Sequence, residues 1–265
     1  MIIFDSIGRA LARYLAKPRT GGMSVATTTP AILMNTLKKG DVLLVEGSSR
    51  FSAAVKYLTQ SSWSHAAMYV GEDAFPSIPG EEPHVLVDAD VVDGVRSLPL
   101  SEFSGLHTRI CRPMGLELAE IDAVVGYAIS WIGHQYNLKN IIDLARYLVQ
   151  TPPVGSARRR RMLAFCSGDP TRAICSTLIA QAFQSVRYPI LPEVVLEESQ
   201  DPNCVGCYEE ALHIRHHSLF APRDFDVSPY VLVVKPTLHV DFDPHKVALV
   251  NNAHTGETPD CVSYP

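Results

Sequence analysis

Residues 40–71 read GDVLLVEGSSRFSAAVKYLTQSSWSHAAMYVG. Gly40 to Gly47 is a short apolar run between glycines, too short for a helix, and predicts a strand buried on both sides. Arg50 to Gln60 places Phe51, Val55 and Leu58 on one helical face. Ser64 to Gly71 is a second apolar run, opened by His65 directly after a serine-rich turn. A strand, a helix and a second strand within so few residues set the start of a mixed fold.

Working outward, a proline-rich loop (Phe75 to Pro83) leads to a third strand, HVLVDAD, from His84 to Asp90. GVRSLPL and HTRICRP predict two more. Leu118, Ile121, Val125, Ala128 and Ile132 then repeat at helical spacing, with Gly133 as a stop. A second helix is expected over Asn137 to Gln150, ended by Pro152 and Pro153, followed by an exposed loop from Thr151 to Gly168 that carries Arg158 to Arg161. Ile174, Leu178, Ala182 and Val186, joined by Ile179 and Phe183, form another apolar helical face. Beyond Pro189 the chain reads as irregular except for the strand YVLVVKP. Strands first and helices after them argue an α+β class with an antiparallel sheet packed against helices.

The chain has 265 residues, 46% of them hydrophobic, which suits one substantial core. A net charge of −5 gives no field for nucleic acid. Six irregularly spaced cysteines do not make a disulfide scaffold, so the expectation is free thiols in a reducing, cytoplasmic setting. The organisation expected is an N-terminal amphipathic helix and connector over 1–39, one domain over 40–236, and a tail over 237–265.

Chemistry enters with Cys175, in AICSTLIAQAF at the start of a predicted helix. A thiol there faces the positive end of the helix dipole and free backbone N–H groups. Both favour thiolate over thiol, and the same N–H groups can receive an oxyanion. Cys111 lies in a strand and Cys166 in the arginine-rich loop, so neither has this setting. A thiolate nucleophile needs a base; most of the ten histidines lie in loops or polar surroundings, while His65 opens an apolar strand directly after a serine-rich turn. A third group should orient the imidazole. His84, Leu86, Asp88 and Asp90 share one strand face. A hairpin with Val70 opposite Pro83 sets His65 beside Asp88, and a shift of two residues sets it beside Asp90. Both registers stay open at this point.

The order of these pieces resembles the permuted NlpC-type, YiiX-like cysteine hydrolases, distant relatives of lecithin–retinol acyltransferase. The resemblance runs over about residues 40–187. It is carried by the Gly-Asp strand with its serine-rich turn and Ser-His pair, by VLVDADVVDGVRSLPL, by WIGHQYNLKN and by AICSTLIAQAF. It implies a circularly permuted papain-like fold, with Cys175 on the nucleophile, His65 on the base and Asp88 on the orienting acid. The acidic position is often Glu in that family and is Asp88 here, and the family's Tyr-Asp pair is Tyr136-Asn137 here. No cofactor is implied.

The expectation is therefore a cysteine hydrolase that cleaves an amide, peptide-like bond through an acyl-enzyme, acting on a small peptide or amino-acid conjugate. One alternative is a lipid ester or thioester hydrolase or acyltransferase at a membrane. There the amphipathic segment 2–17, with Ile3, Ile7, Leu11 and Leu15 on one side, would make a peripheral membrane contact. Another alternative is a non-catalytic binding module. Cys204 and Cys207, with His213, His216 and His217 nearby, have the types but not the spacing of a zinc finger. Free thiols or a labile disulfide are preferred there, and no metal is expected.

Overall fold

The structure is a computed structural model that describes residues 17, 26, 28–90, 93–135, 174–198 and 208–236. The helices expected over 2–17 (Lys17 apart) and Asn137 to Gln150, the loop carrying Arg158 to Arg161, and Cys166, Cys204, Cys207 and Cys261 lie outside the described residues.

Among the described residues the elements run α1 (Pro30–Thr36), β1 (Val42–Glu46), α2 (Arg50–Thr59), β2 (His65–Tyr69), β3 (His84–Asp90), β4 (Gly94–Pro99), β5 (His107–Pro113), α3 (Leu118–Ser130), α4 (Ile174–Ser185), β6 (Glu193–Glu198), β7 (Tyr208–His213), α5 (Pro222–Asp226) and β8 (Val231–Val234). Six strands form one antiparallel sheet in the order β4-β3-β2-β1-β5-β8, and β6 and β7 form a separate hairpin. This is the α+β arrangement of antiparallel sheet and helices that the strand-then-helix order predicts.

The continuous apolar runs have a physical reason: both faces of the sheet are covered. Val42, Leu44, Ala66, Met68, Val87 and Cys111 point to the side packed by Val124, Val125 and Ala128 of α3 and by Leu178, Ile179, Ala182 and Phe183 of α4. The alternate residues Leu43, Val45, Ala67, Tyr69, Leu86 and Ile110 point to the other side, against Leu33, Leu37, Leu100 and Phe103. A strand covered on both sides shows no polar alternation. The sheet is also tied at β1 by Asp41, 1% exposed, which takes a two-pronged hydrogen bond from Arg112 on β5, at 2.9 and 2.7 Å, and one from the Lys38 N–H.

Two sequence expectations need correction. The stretch after Pro189 is not irregular: it holds β6, β7 and α5 as well as β8. The hairpin exposes Val194, Leu196, Tyr208 and Leu212, so it has no buried face to impose a period of two. The pairing of β2 with β3 sets Met68 opposite Val87 and Tyr69 opposite Leu86, and the Val70 N–H donates to the Val85 carbonyl. Val70 therefore does not face Pro83, and the register differs by two residues from the one that put His65 directly beside Asp88. Pro83 has no N–H to give a ladder.

Among the described residues, no helix is long and apolar enough to cross a membrane.

Candidate active site

The site forms where β2 and β3 part. Their ladder holds at Met68 and Tyr69 and is not formed at the His65 end. Cys175 lies on α4, whose described part is Ile174–Ser185. Its thiol is 3% exposed and sits in the cluster that includes Ala66 and Met68. His65 belongs by alternation to the opposite sheet face, with its ring 5.7 Å from that of Phe103. Cys175 and His65 thus come from opposite faces and meet at the strand end.

His65 Nε2 lies 2.9 Å from Asp88 Oδ2. The imidazole is 21% exposed and the carboxylate 1%. Nε2 is committed to the carboxylate, so Nδ1 is the ring nitrogen left for Cys175, with which His65 shares a side-chain hydrogen bond.

The electrostatics match a thiolate–imidazolium pair. Burial disfavours both charges, yet each stabilises the other. The His65 imidazolium, its hydrogen bond and the Ala66 N–H hold the Cys175 thiol below its ordinary pKa. Against burial, the Cys175 thiolate and the Asp88 carboxylate raise His65 well above the usual histidine value. Asp88 is likewise opposed by burial but held low by His65 and Arg96. Cys111 is the contrast: it is fully buried among apolar residues, and desolvation pushes its pKa far up. The pair titrates as a unit, with its protonation steps shared between the two residues.

The structure thus brings together Cys175, His65 and Asp88, although the β2–β3 register, extended to the strand end, would set Asp90 opposite His65. The imidazole reaches diagonally across the opening. His84 does not share the face of Asp88 as the alternation predicts: a β-bulge between His84 and Leu86 breaks the alternation, and His84 pairs at 2.8 Å with Ser97, which stands opposite Val87. Sequence reasoning missed Arg96 on β4, directly opposite Asp88, whose Nε lies 3.1 Å from Asp88 Oδ1. Its signal was present: a tight turn before Gly94 folds β4 back so that 88 faces 96. Gly94 has φ +77°, and a side chain there would sit 2.4 Å from the His134 carbonyl, so the turn requires glycine.

The C-terminal histidines have other engagements. His213 Nε2 meets Glu197 at 2.6 Å, and His216 stacks 4.0 Å from His217 while its Nδ1 faces Ser218. Among the described residues no group of three metal-ligating side chains converges.

Residues 36–147 match a family model described as permuted papain-like amidase enzyme, YaeF/YiiX, C92 family. The matched stretch contains His65 and Asp88, while Cys175 lies beyond it. The fold class and the YiiX-like resemblance read from the sequence agree with that family. The chain is also similar to the crystal structure of metalloprotein yiiX from Escherichia coli O157:H7, at 17% identity and TM-score 0.42, over 75% of this chain and 96% of that one. No curated protein matches the chain.

Proposed function

We propose that this protein is a cysteine amidase that cleaves a peptide-like bond through a thioester acyl-enzyme; the match of residues 36–147 to the permuted papain-like amidase model supports the reading. The observation that carries the reading is the charge-coupled contact of Cys175 with His65, whose far nitrogen is held by Asp88 at 2.9 Å. Few structural roles call for a buried thiolate beside a buried imidazolium, since each charge alone is costly to desolvate.

The steps follow from the groups present. The Cys175 thiolate adds to the carbonyl carbon, and the carbonyl electron pair moves to oxygen. The Cys175 N–H is the group this reading assigns to that oxyanion. The imidazolium gives its proton to the amide nitrogen, the C–N bond breaks and the amine leaves. Neutral His65 then takes a proton from water, which adds to the thioester carbonyl. The second tetrahedral intermediate collapses with release of the carboxylic acid, which gives its proton to water, and the thiolate–imidazolium pair returns. Asp88 holds the ring in the orientation both transfers need.

The test is a panel of matched amides, esters and thioesters on small peptide, amino-acid and lipid acyl groups, with intact-mass detection of an acyl adduct. An amide-derived adduct on Cys175, absent from Cys175→Ala, supports the reading. Turnover of lipid esters alone, enhanced by vesicles, would replace it with the lipid-hydrolase alternative. No adduct and no turnover, with an unreactive thiol, would leave a binding module.

A further inference from the structure

The Asp88 carboxylate has two oxygens and two partners on the two flanking strands. Oδ2 faces His65 on β2 at 2.9 Å, and Oδ1 faces the Arg96 Nε on β4 at 3.1 Å. We propose that Arg96 is a positioning residue of this site: it fixes the rotation of the Asp88 carboxylate, and through it the ring of His65. The inference rests on the cysteine-amidase reading.

Three observations converge on it. The first is register. Asp88 and Arg96 are a direct cross-strand pair, and the β3–β4 turn that sets the pairing is locked by Gly94 against the His134 carbonyl. The second is that Arg96 is itself held. Its Nη1 lies 3.3 Å from Asp93 and its Nη2 3.7 Å from Glu102 on the short turn after β4, so each of its three nitrogens faces a carboxylate. A carboxylate held by one partner can still rotate. Held by a planar, anchored fork, it offers its second oxygen in one direction. The third is charge order. Cys175, His65, Asp88 and Arg96 form a row of alternating sign, anion to cation. Burial alone would drive a carboxyl that is 1% exposed towards the neutral acid, and a neutral acid does not stabilise an imidazolium. A cation on its far side keeps it ionised.

Arg96 does not touch the reacting atoms, so its effect must be read on the thiol. The experiment measures the rate constant for iodoacetamide alkylation of Cys175 at neutral pH in the full chain, for wild type, Arg96→Met, Arg96→Lys, Asp88→Ala and Asp88→Ala with Arg96→Met. Arg96→Met is expected to slow alkylation about tenfold, the equivalent of one pKa unit. Arg96→Lys should recover part of it by returning charge without the fork. In the Asp88→Ala background, removing Arg96 should change nothing further, because its route to the thiol is gone. A wild-type rate in folded Arg96→Met, or an equal loss in both backgrounds, overturns the proposal. Where Arg96→Met does not fold, Asp93→Asn with Glu102→Gln frees the fork without removing it; a smaller slowing is expected and an unchanged rate overturns the proposal. If the wild-type thiol is itself no more reactive than Cys111, the amidase reading fails first. If it is reactive and Arg96→Met matches it, only the role of Arg96 fails.

Discussion

Asp88 reaches His65 across an opening in the sheet, not across a rung. The two side chains meet at 2.9 Å where β2 and β3 are no longer paired. The parted strands leave the Ala66 N–H available to the sulfur of Cys175. One local feature, a ladder that stops early, therefore makes room for Cys175, His65 and an amide donor together.

The first prediction concerns which thiol reacts. Thiolate is the reactive form, and Cys175 is held below the ordinary thiol pKa while burial pushes Cys111 far above it. Brief iodoacetamide treatment at neutral pH followed by peptide mapping should label Cys175 first and leave Cys111 unmodified. Prior labelling of Cys111, or of Cys166 in the arginine loop, would remove Cys175 as the nucleophile.

The second concerns the orienting acid. In Asp88→Asn, the Arg96 Nε donates and so requires the amide oxygen. The amide NH2 then turns to His65 Nε2, which as an imidazolium is also a donor. Two donors facing each other disfavour the charged ring. We expect turnover to fall by roughly 10³-fold, comparable to the loss of a correctly held imidazole in other triads, with KM changed little. His65→Ala should cost at least as much, roughly 10³–10⁴-fold. Full activity of Asp88→Asn with an unchanged fold would mean that the acid does not orient the ring.

How much of this was legible in the sequence depends on how much was local. The elements that carry His65 and Cys175 were readable because their periods are strong, a doubly buried strand and an apolar helical face. The choice between Asp88 and Asp90 was not, because it turns on where the β2–β3 ladder begins and ends. The expected pairing ran through Pro83, which cannot donate. The observed one begins at Val85, and the diagonal reach to Asp88 depends on the strands parting. Arg96 was hidden for a related reason: its partner lies in another strand. The β6–β7 hairpin was hidden because its apolar residues stay exposed and leave no pattern of burial to read. The helix Pro30–Thr36 carried a usable signal, Thr29 capping the Ile32 N–H and proline at its first position, but was absorbed into a connector.

The third prediction is about stability away from the chemistry. Asp41 is buried with Arg112, itself only 15% exposed, and breaking such a pair from one side leaves an uncompensated charge. Asp41→Ala should destabilise the fold by about 3–5 kcal/mol in denaturant titration. The double variant Asp41→Leu with Arg112→Met should lose much less, since burial already pushes the Asp41 carboxyl pKa upward in spite of its arginine. A double variant as unstable as the single one would mean that the two-pronged bond is a net source of stability.

The fourth prediction follows from the proton count of the pair. His65 is raised above its ordinary value of 6.5, so its contribution to stability is complete below that pH and is lost as pH rises through the folded pKa. Cys175 is lowered from 9.0, so its contribution is complete above that pH and is lost as pH falls through the folded pKa. Between 6.5 and 9.0 the unfolded chain holds one proton, on the thiol, and the folded pair also holds one, on the imidazole. The two slopes cancel over the part of that window where both folded charges persist, and stability is flat there. Below 6.5 the unfolded chain takes a second proton that the folded thiolate refuses, so stability falls with acid. Above 9.0 the unfolded chain gives up its last proton while the folded imidazolium keeps its own, so stability falls with base. The measurement is thermal or denaturant unfolding against pH for wild type minus His65→Gln with Cys175→Ala, which removes both groups and cancels the rest of the chain. The difference should be a plateau with shoulders on both sides, and the pH profile of kcat/KM should be a bell bounded by the same two macroscopic steps. A difference that slopes one way between 6.5 and 9.0 would mean that the folded pair does not hold one proton there, and that Cys175 and His65 do not titrate as a coupled pair.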